Sequence, residues 1–191
     1  MVRCGLAAPA KTNPSALTMQ APQDLPVPAM DGLLQGRFSG REVFQQAVRD
    51  AFAAAAREGW SEIIMSDASF EDWPLGERAV NESLQAWART GRRLTMLACR
   101  YDEVVRRHAR FVRWRGVWDH ILTCRSSPSV GALDIPSAMW SPSWVLQRLD
   151  PERCVGVAGT EPERRVLLRE NLNEWLRNKS SPGFAATTLG L

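Results

Sequence analysis

At 191 residues, 45% of them hydrophobic and 24% charged, the chain is most simply one globular domain with a tail, large enough to bury a core without disulfides or metals. No apolar run approaches the roughly 18 residues of a membrane span, and the N-terminus lacks the apolar stretch of a secretory signal, so a cytoplasmic protein is expected. The net charge is only +3, but it is almost wholly arginine: among 24 basic residues only Lys11 and Lys179 are lysine. Arginine binds phosphate and carboxylate through a planar fork that lysine lacks. A GC-rich coding sequence accounts for the same bias.

Residues 1–31 are rich in Ala and Pro, with five prolines and no apolar periodicity. They read as a disordered arm. A domain over 32–191 follows. Leu33–Phe38 is the first expected strand. Ser39-Gly40-Arg41-Glu42 has the form of a capping box, opening a helix that runs to Glu58 and closes on Gly59. Glu62–Ser66 reads as a strand, Gly76–Thr90 as a helix and Arg93–Cys99 as a strand. Asp102–Arg115 reads as one helix and His120–Cys124 as a strand. The prolines and glycine of Ser126–Pro142 predict a loop. Ser143–Leu149 and Arg153–Ala158 form a hairpin across Asp150-Pro151-Glu152. Thr160 is placed to cap a last helix, Glu161–Asn178, whose stripe is Leu167, Leu168, Leu172, Trp175 and Leu176. Alternating strands and helices, then a hairpin and a helix, predict an α/β fold with a mixed β-sheet sandwiched by helices.

Cys4, Cys99, Cys124 and Cys154 have no metal-ligand spacing, so no metal or cofactor is implied and buried free thiols are expected.

The hairpin, the last helix and the tail Ser181-Pro182-Gly183-Phe184…Leu189-Gly190-Leu191 resemble the end of a phospholipase D-like half domain, including the closing segments of some bacterial ones. The resemblance spans 33–191. That family carries an H-x-K-x4-D motif ahead of a small-residue segment. Placed on this chain, the final acid falls on Asp150, the His position on Ser143 and the Lys position on Val145. The small residues become Gly156-Val157-Ala158-Gly159. The family needs a His nucleophile and a Lys to hold phosphate charge, and neither is present. The resemblance thus implies a pseudoenzyme: a catalytically inactive binding or regulatory module, as a homodimer. Asp150, Ser143, Trp140 and Trp144 would line its vestigial site, for a phosphate-bearing ligand.

Between Arg92 and Arg125 nine arginines stand against Asp102, Glu103 and Asp119. On one helix Arg106, Arg110 and Arg113 would share a face, with Phe111, Trp114 and Trp118 on another. Arginine beside aromatics suits phosphate or nucleic acid. A solvated face of an amphipathic helix has the same pattern. The alternative function is therefore a nucleic-acid-associated protein. A third reading is metal-dependent chemistry at Asp67, Glu71 and Asp72, after a strand end where open α/β sheets keep ligands; loop capping explains the same acids. His108 and His120 are not paired by spacing and read as structural imidazoles or as general acid–base groups.

Overall fold

The computed structural model describes residues 1, 27–28, 32–89 and 91–184. Most of the expected disordered arm, and the tail beyond residue 184, lie outside the described residues. Inside the arm's expected bounds, β1 (Val27–Pro28) pairs with the next strand.

The chain continues through β2 (Leu34–Ser39), α1 (Arg41–Glu58), β3 (Glu62–Asp67), α2 (Arg78–Trp87) and β4 (Arg93–Ala98). Next come α3 (Asp102–Arg107), α4 (Ala109–Val117), a 3-10 turn (Asp119–Ile121) and β5 (Leu122–Ser126). It ends in β6 (Ser137–Trp140), β7 (Val145–Asp150), β8 (Val155–Gly159), α5 (Pro162–Asn178) and β9 (Ser181–Pro182). The strands form one mixed sheet in the order β1-β2-β8-β7-β6-β3-β4-β5-β9. The expected α/β architecture with helices on both faces is what the chain adopts.

One handedness rule accounts for the layering. β3, β4 and β5 are parallel, and the antiparallel ladder through β6, β7 and β8 leaves β2 pointing the same way. Crossovers that step in one direction with one hand put their helices on one face. Accordingly α1, α2, α3 and α4 share a single apolar cluster with that face. β8 and β9 point the opposite way, so the same step and hand carry α5 to the other face. There Leu168 and Leu172 pack on Ile64, Ala138 and Val145, and Trp175 on Leu97 and Ile135. Alternation in β3 follows the pleat: Ile63 and Met65 face α1, and Ile64 faces α5.

α1 is held by a stripe at helical spacing, Phe44, Ala47, Val48, Ala51, Phe52 and Ala55, all buried. Gly59 ends it at φ 72°, donating its N–H to the Ala55 carbonyl at 2.9 Å. At the other end Gly40 is the cap, with no side-chain capping bond. The expected capping box is therefore not formed: Gly40, at φ 101°, turns the chain so that the helix begins past Ser39. Thr160 also does not cap α5, since Glu161 takes that place ahead of Pro162.

Four further expectations are corrected. β6 lies inside the expected loop; flanking prolines 136 and 142 hide a four-residue strand that is nonetheless central. The expected helix Asp102–Arg115 is two, broken at His108. The buried imidazole leaves the helical path, its Nε2 lying 2.9 Å from the Phe70 carbonyl. Leu167 is exposed rather than part of the α5 stripe. Only Cys124 of the three described thiols lies in a strand, though all three are free. Gly156 in β8 is required by packing: a Cβ there would strike the Gln147 carbonyl and lie 2.6 Å from the Phe38 ring.

Candidate functional site

Two features outside the apolar core stand out. The first is a buried charged network at the carboxyl ends of β3 and β7. Asp67 follows Ile63 and Met65 on the α1 face. Ser137 opens β6 and is in register with Arg148 of β7. Three adjacent strands thus deliver an acid, a hydroxyl and a guanidinium to one spot. Arg148 donates Nη2–H to Asp67 Oδ2 at 2.5 Å, Nε–H to Ser137 Oγ at 2.7 Å and Nη1–H to Asp72 Oδ2 at 3.0 Å. Its Nη1 also lies 3.7 Å from Cys154 Sγ, and its guanidinium sits 4.3 Å from the Phe44 ring centre.

Asp67 Oδ2 further accepts the Ser137 hydroxyl at 2.6 Å, and Oδ1 accepts the backbone N–H groups of Ser69 and Phe70 at 3.1 and 2.8 Å. Burial pushes the Asp67 carboxyl up, but Arg148, Ser137 and the two backbone donors outweigh it and hold it below the usual range. Burial pulls the Arg148 guanidinium down, and its acid partners raise it overall. A small cleft of about 220 Å³ opens beside this network, lined by Asp72, Leu133, Ile135 and Pro151 among others.

The acids that suggested a metal site are therefore engaged by arginine. Asp67 and Asp72 meet Arg148, Asp72 also meets Arg41 at 2.9 Å, and Glu71 meets Arg107 at 2.6 Å. Among the described residues no group of three or more His, Cys, Asp or Glu is arranged to hold a metal ion. Arg148 is not among the residues the sequence pattern points to, since the resemblance places its acid on Asp150. The available signal was alternation: in Val145-Leu146-Gln147-Arg148, the arginine shares the buried face of Leu146.

The four residues expected to line a vestigial site do not converge. Ser143 lies in the bend that joins β6 to β7, and Asp150 stands at the far end of β7. Asp150 accepts the Arg153 N–H at 3.1 Å and so closes the hairpin turn. Trp144 is fully buried on the α1 side, donating its indole N–H to the Leu34 carbonyl at 2.9 Å. Trp140 faces α5, its indole N–H on the Arg165 carbonyl at 2.8 Å and its ring 4.3 Å beneath the Arg169 guanidinium. Val145, at the motif's Lys position, is buried under α5.

The second feature is an open groove of about 600 Å³ between α2 and α4. α2 contributes Arg78, Asn81, Glu82, Gln85 and Ala86, and α4 contributes Arg110, Arg113, Trp114 and Val117. Both sets follow helical spacing, so two outward stripes meet. Arg78 is paired with Glu82 at 2.7 Å. Arg110 donates to the Gly76 carbonyl at 3.1 Å. Arg113 is exposed and has no hydrogen-bond or ion-pair partner among the described residues. Trp114 forms the floor; its indole N–H is buried without a partner. The third expected arginine, Arg106, does not join them. The break at His108 separates it from α4, and it pairs with Glu103 at 2.6 Å.

At the groove's end Trp118 donates its indole N–H to Gln85 at 3.0 Å and lies 5.6 Å from the exposed His120 ring.

No protein-family model and no curated protein sequence matches this chain. Among solved structures it is similar to TrmBL2, an archaeal chromatin protein described as showing a novel mode of DNA binding. The match has a TM-score of 0.55 and 13% identity, and covers 77% of this chain and 53% of the other. The chain thus spans about half the length of the structure it matches. At that identity the likeness concerns the fold. No helix among the described residues is long and apolar enough to cross a membrane.

Proposed function

We propose that this chain is a non-catalytic α/β module that associates with nucleic acid through the groove between α2 and α4. The observation that carries the reading is Arg113, an exposed guanidinium without a partner, beside Arg110, which gives a hydrogen only to a carbonyl. Two such cations in one groove are available to phosphate, whereas Arg78 of the same groove is paired with Glu82, and Arg106 and Arg107 with Glu103. TrmBL2, similar in fold, is described as binding DNA, which is compatible with this use. A non-catalytic role is supported by the charged network: both oxygens of Asp67 accept from internal donors, so this buried acid is engaged in structure and not free to act as a base. A phospholipase D-like origin belongs to the same proposal. The β7–β8 hairpin inside a mixed sheet favours it, and Ser143 and Val145 stand where the family's His nucleophile and Lys would be.

The test is fluorescence anisotropy with labelled mixed-sequence DNA over a salt series. Wild type should bind, with log affinity falling linearly against log salt. Arg110→Ala with Arg113→Ala should weaken binding and reduce the slope by about 1.4 to 1.8, the loss of two phosphate contacts. Unchanged affinity and slope in the double variant would sink the reading.

A further inference from the structure

We infer that the preferred ligand of the α2–α4 groove is single-stranded nucleic acid rather than a duplex; this rests on the nucleic-acid reading above. Duplex recognition calls for a convex element in a groove or a broad cationic face, since a duplex presents its charged backbone outward and keeps its bases stacked inside. This surface is the reverse. Its cations stand beside an apolar strip in an open, shallow groove. Ala86, Trp114 and Val117 line the groove, and Val117 is 70% exposed.

Beyond Val117 the strip ends in aromatic rings. Trp118 is half-buried and anchored to Gln85, itself a groove residue. His120 is exposed, tilted 36° to the Trp118 ring, with Asp119 4.0 Å from its Nδ1. An apolar floor and an unpaired arginine in the groove, with aromatic rings just past its Val117 end, are what an unpaired strand uses. Its bases need a flat or apolar surface in place of lost stacking, and its phosphates need cations at the rim. In a duplex those base faces are unavailable, so Val117, Trp118 and His120 would contribute nothing. Charge complementarity fixes the occupant's sign, and the apolar strip fixes which form of it fits.

The experiment compares a labelled single-stranded 12-mer with its duplex on the full chain, for wild type, Val117→Ser, His120→Ala and Arg113→Ala. Val117 and His120 are exposed, so these variants should fold; a thermal melt checks it. The expected result is tighter binding of the single strand. Val117→Ser and His120→Ala should lose about fivefold or more in single-strand affinity, the scale of one weakened base contact, with duplex affinity unmoved. Arg113→Ala should weaken both. Equal or tighter duplex binding that depends on Arg113 overturns this inference and leaves the nucleic-acid reading standing. Single-strand binding indifferent to Val117→Ser and His120→Ala also overturns it. No binding of either form overturns both.

Discussion

Replacing Arg148 by Met keeps the length of the stem and removes the charge from the centre of the buried network. The Arg148 and Asp67 side chains are only 3% and 6% exposed, so water cannot take over the lost bonds. Asp67 would be left as a buried carboxylate, and Ser137 and Asp72 would each lose a donor. Removing one partner of such a pair costs about 3–5 kcal/mol. For a chain of this size each kcal/mol moves the melting temperature by roughly 2–4 °C. A drop of roughly 10 °C or more is therefore expected at neutral pH, read by circular dichroism with urea titration alongside. The pH dependence carries the mechanism. In wild type the folded Asp67 is depressed, so its contribution is present above the ordinary carboxylate value and lost as pH falls through the lower folded value. Without Arg148, burial dominates and raises it. The variant then folds best with Asp67 protonated, and its deficit should shrink as pH falls towards about 4. A deficit under about 1 kcal/mol, or one that stays constant with pH, would refute the account.

Trp144→Phe should cost about 2–3 kcal/mol through a lost indole bond and a partly filled cavity, and leave DNA affinity unchanged; lost binding with unchanged stability would make Trp144 a ligand residue instead. Burial chiefly holds the His108 imidazole below its ordinary value, against the pull of the Phe70 carbonyl. Its contribution is therefore present above about pH 6.5 and lost below it, with a slope of up to about 1.4 kcal/mol per pH unit. Denaturant melts of His108→Asn should show that slope abolished, and a slope that persists would assign it to another group.

Much of the fold was legible because local signals agreed. α1 combined an apolar stripe with a terminal glycine, and β3 and β4 were short apolar runs between turn residues. The hairpin and α5 were equally plain. What failed depended on distant partners. Pro136 and Pro142 read as loop punctuation, yet the four residues between and beside them pair on both sides with β3 and β7. Nothing local says that His108 will leave a helix to reach a carbonyl far back in the chain. The candidate site was half legible. Asp67 and Asp72 stood out as acids at a strand end, but their partner arrives from β7, 81 residues later for Asp67. Arg110 and Arg113 were found by helical spacing, and Arg106 was included only because that spacing assumed an unbroken helix.

The outermost strands of the sheet are two residues each: β1 beside β2, and β9 beside β5. Open strand edges are templates for pairing with another chain. Here the segment just after α5 covers the far edge, its backbone in register with Arg125 and Ser126. Side chains fasten it, with Arg125 donating to the Ser180 backbone carbonyl and Ser127 to that of Lys179. During synthesis β5 is made long before that cover, so a partly made chain carries an unguarded edge until its last turn of helix has emerged. A chain stopped before Ser181 would keep the buried residues of its core, lose the Phe184 ring that stacks on Tyr101, and be prone to associate edge to edge.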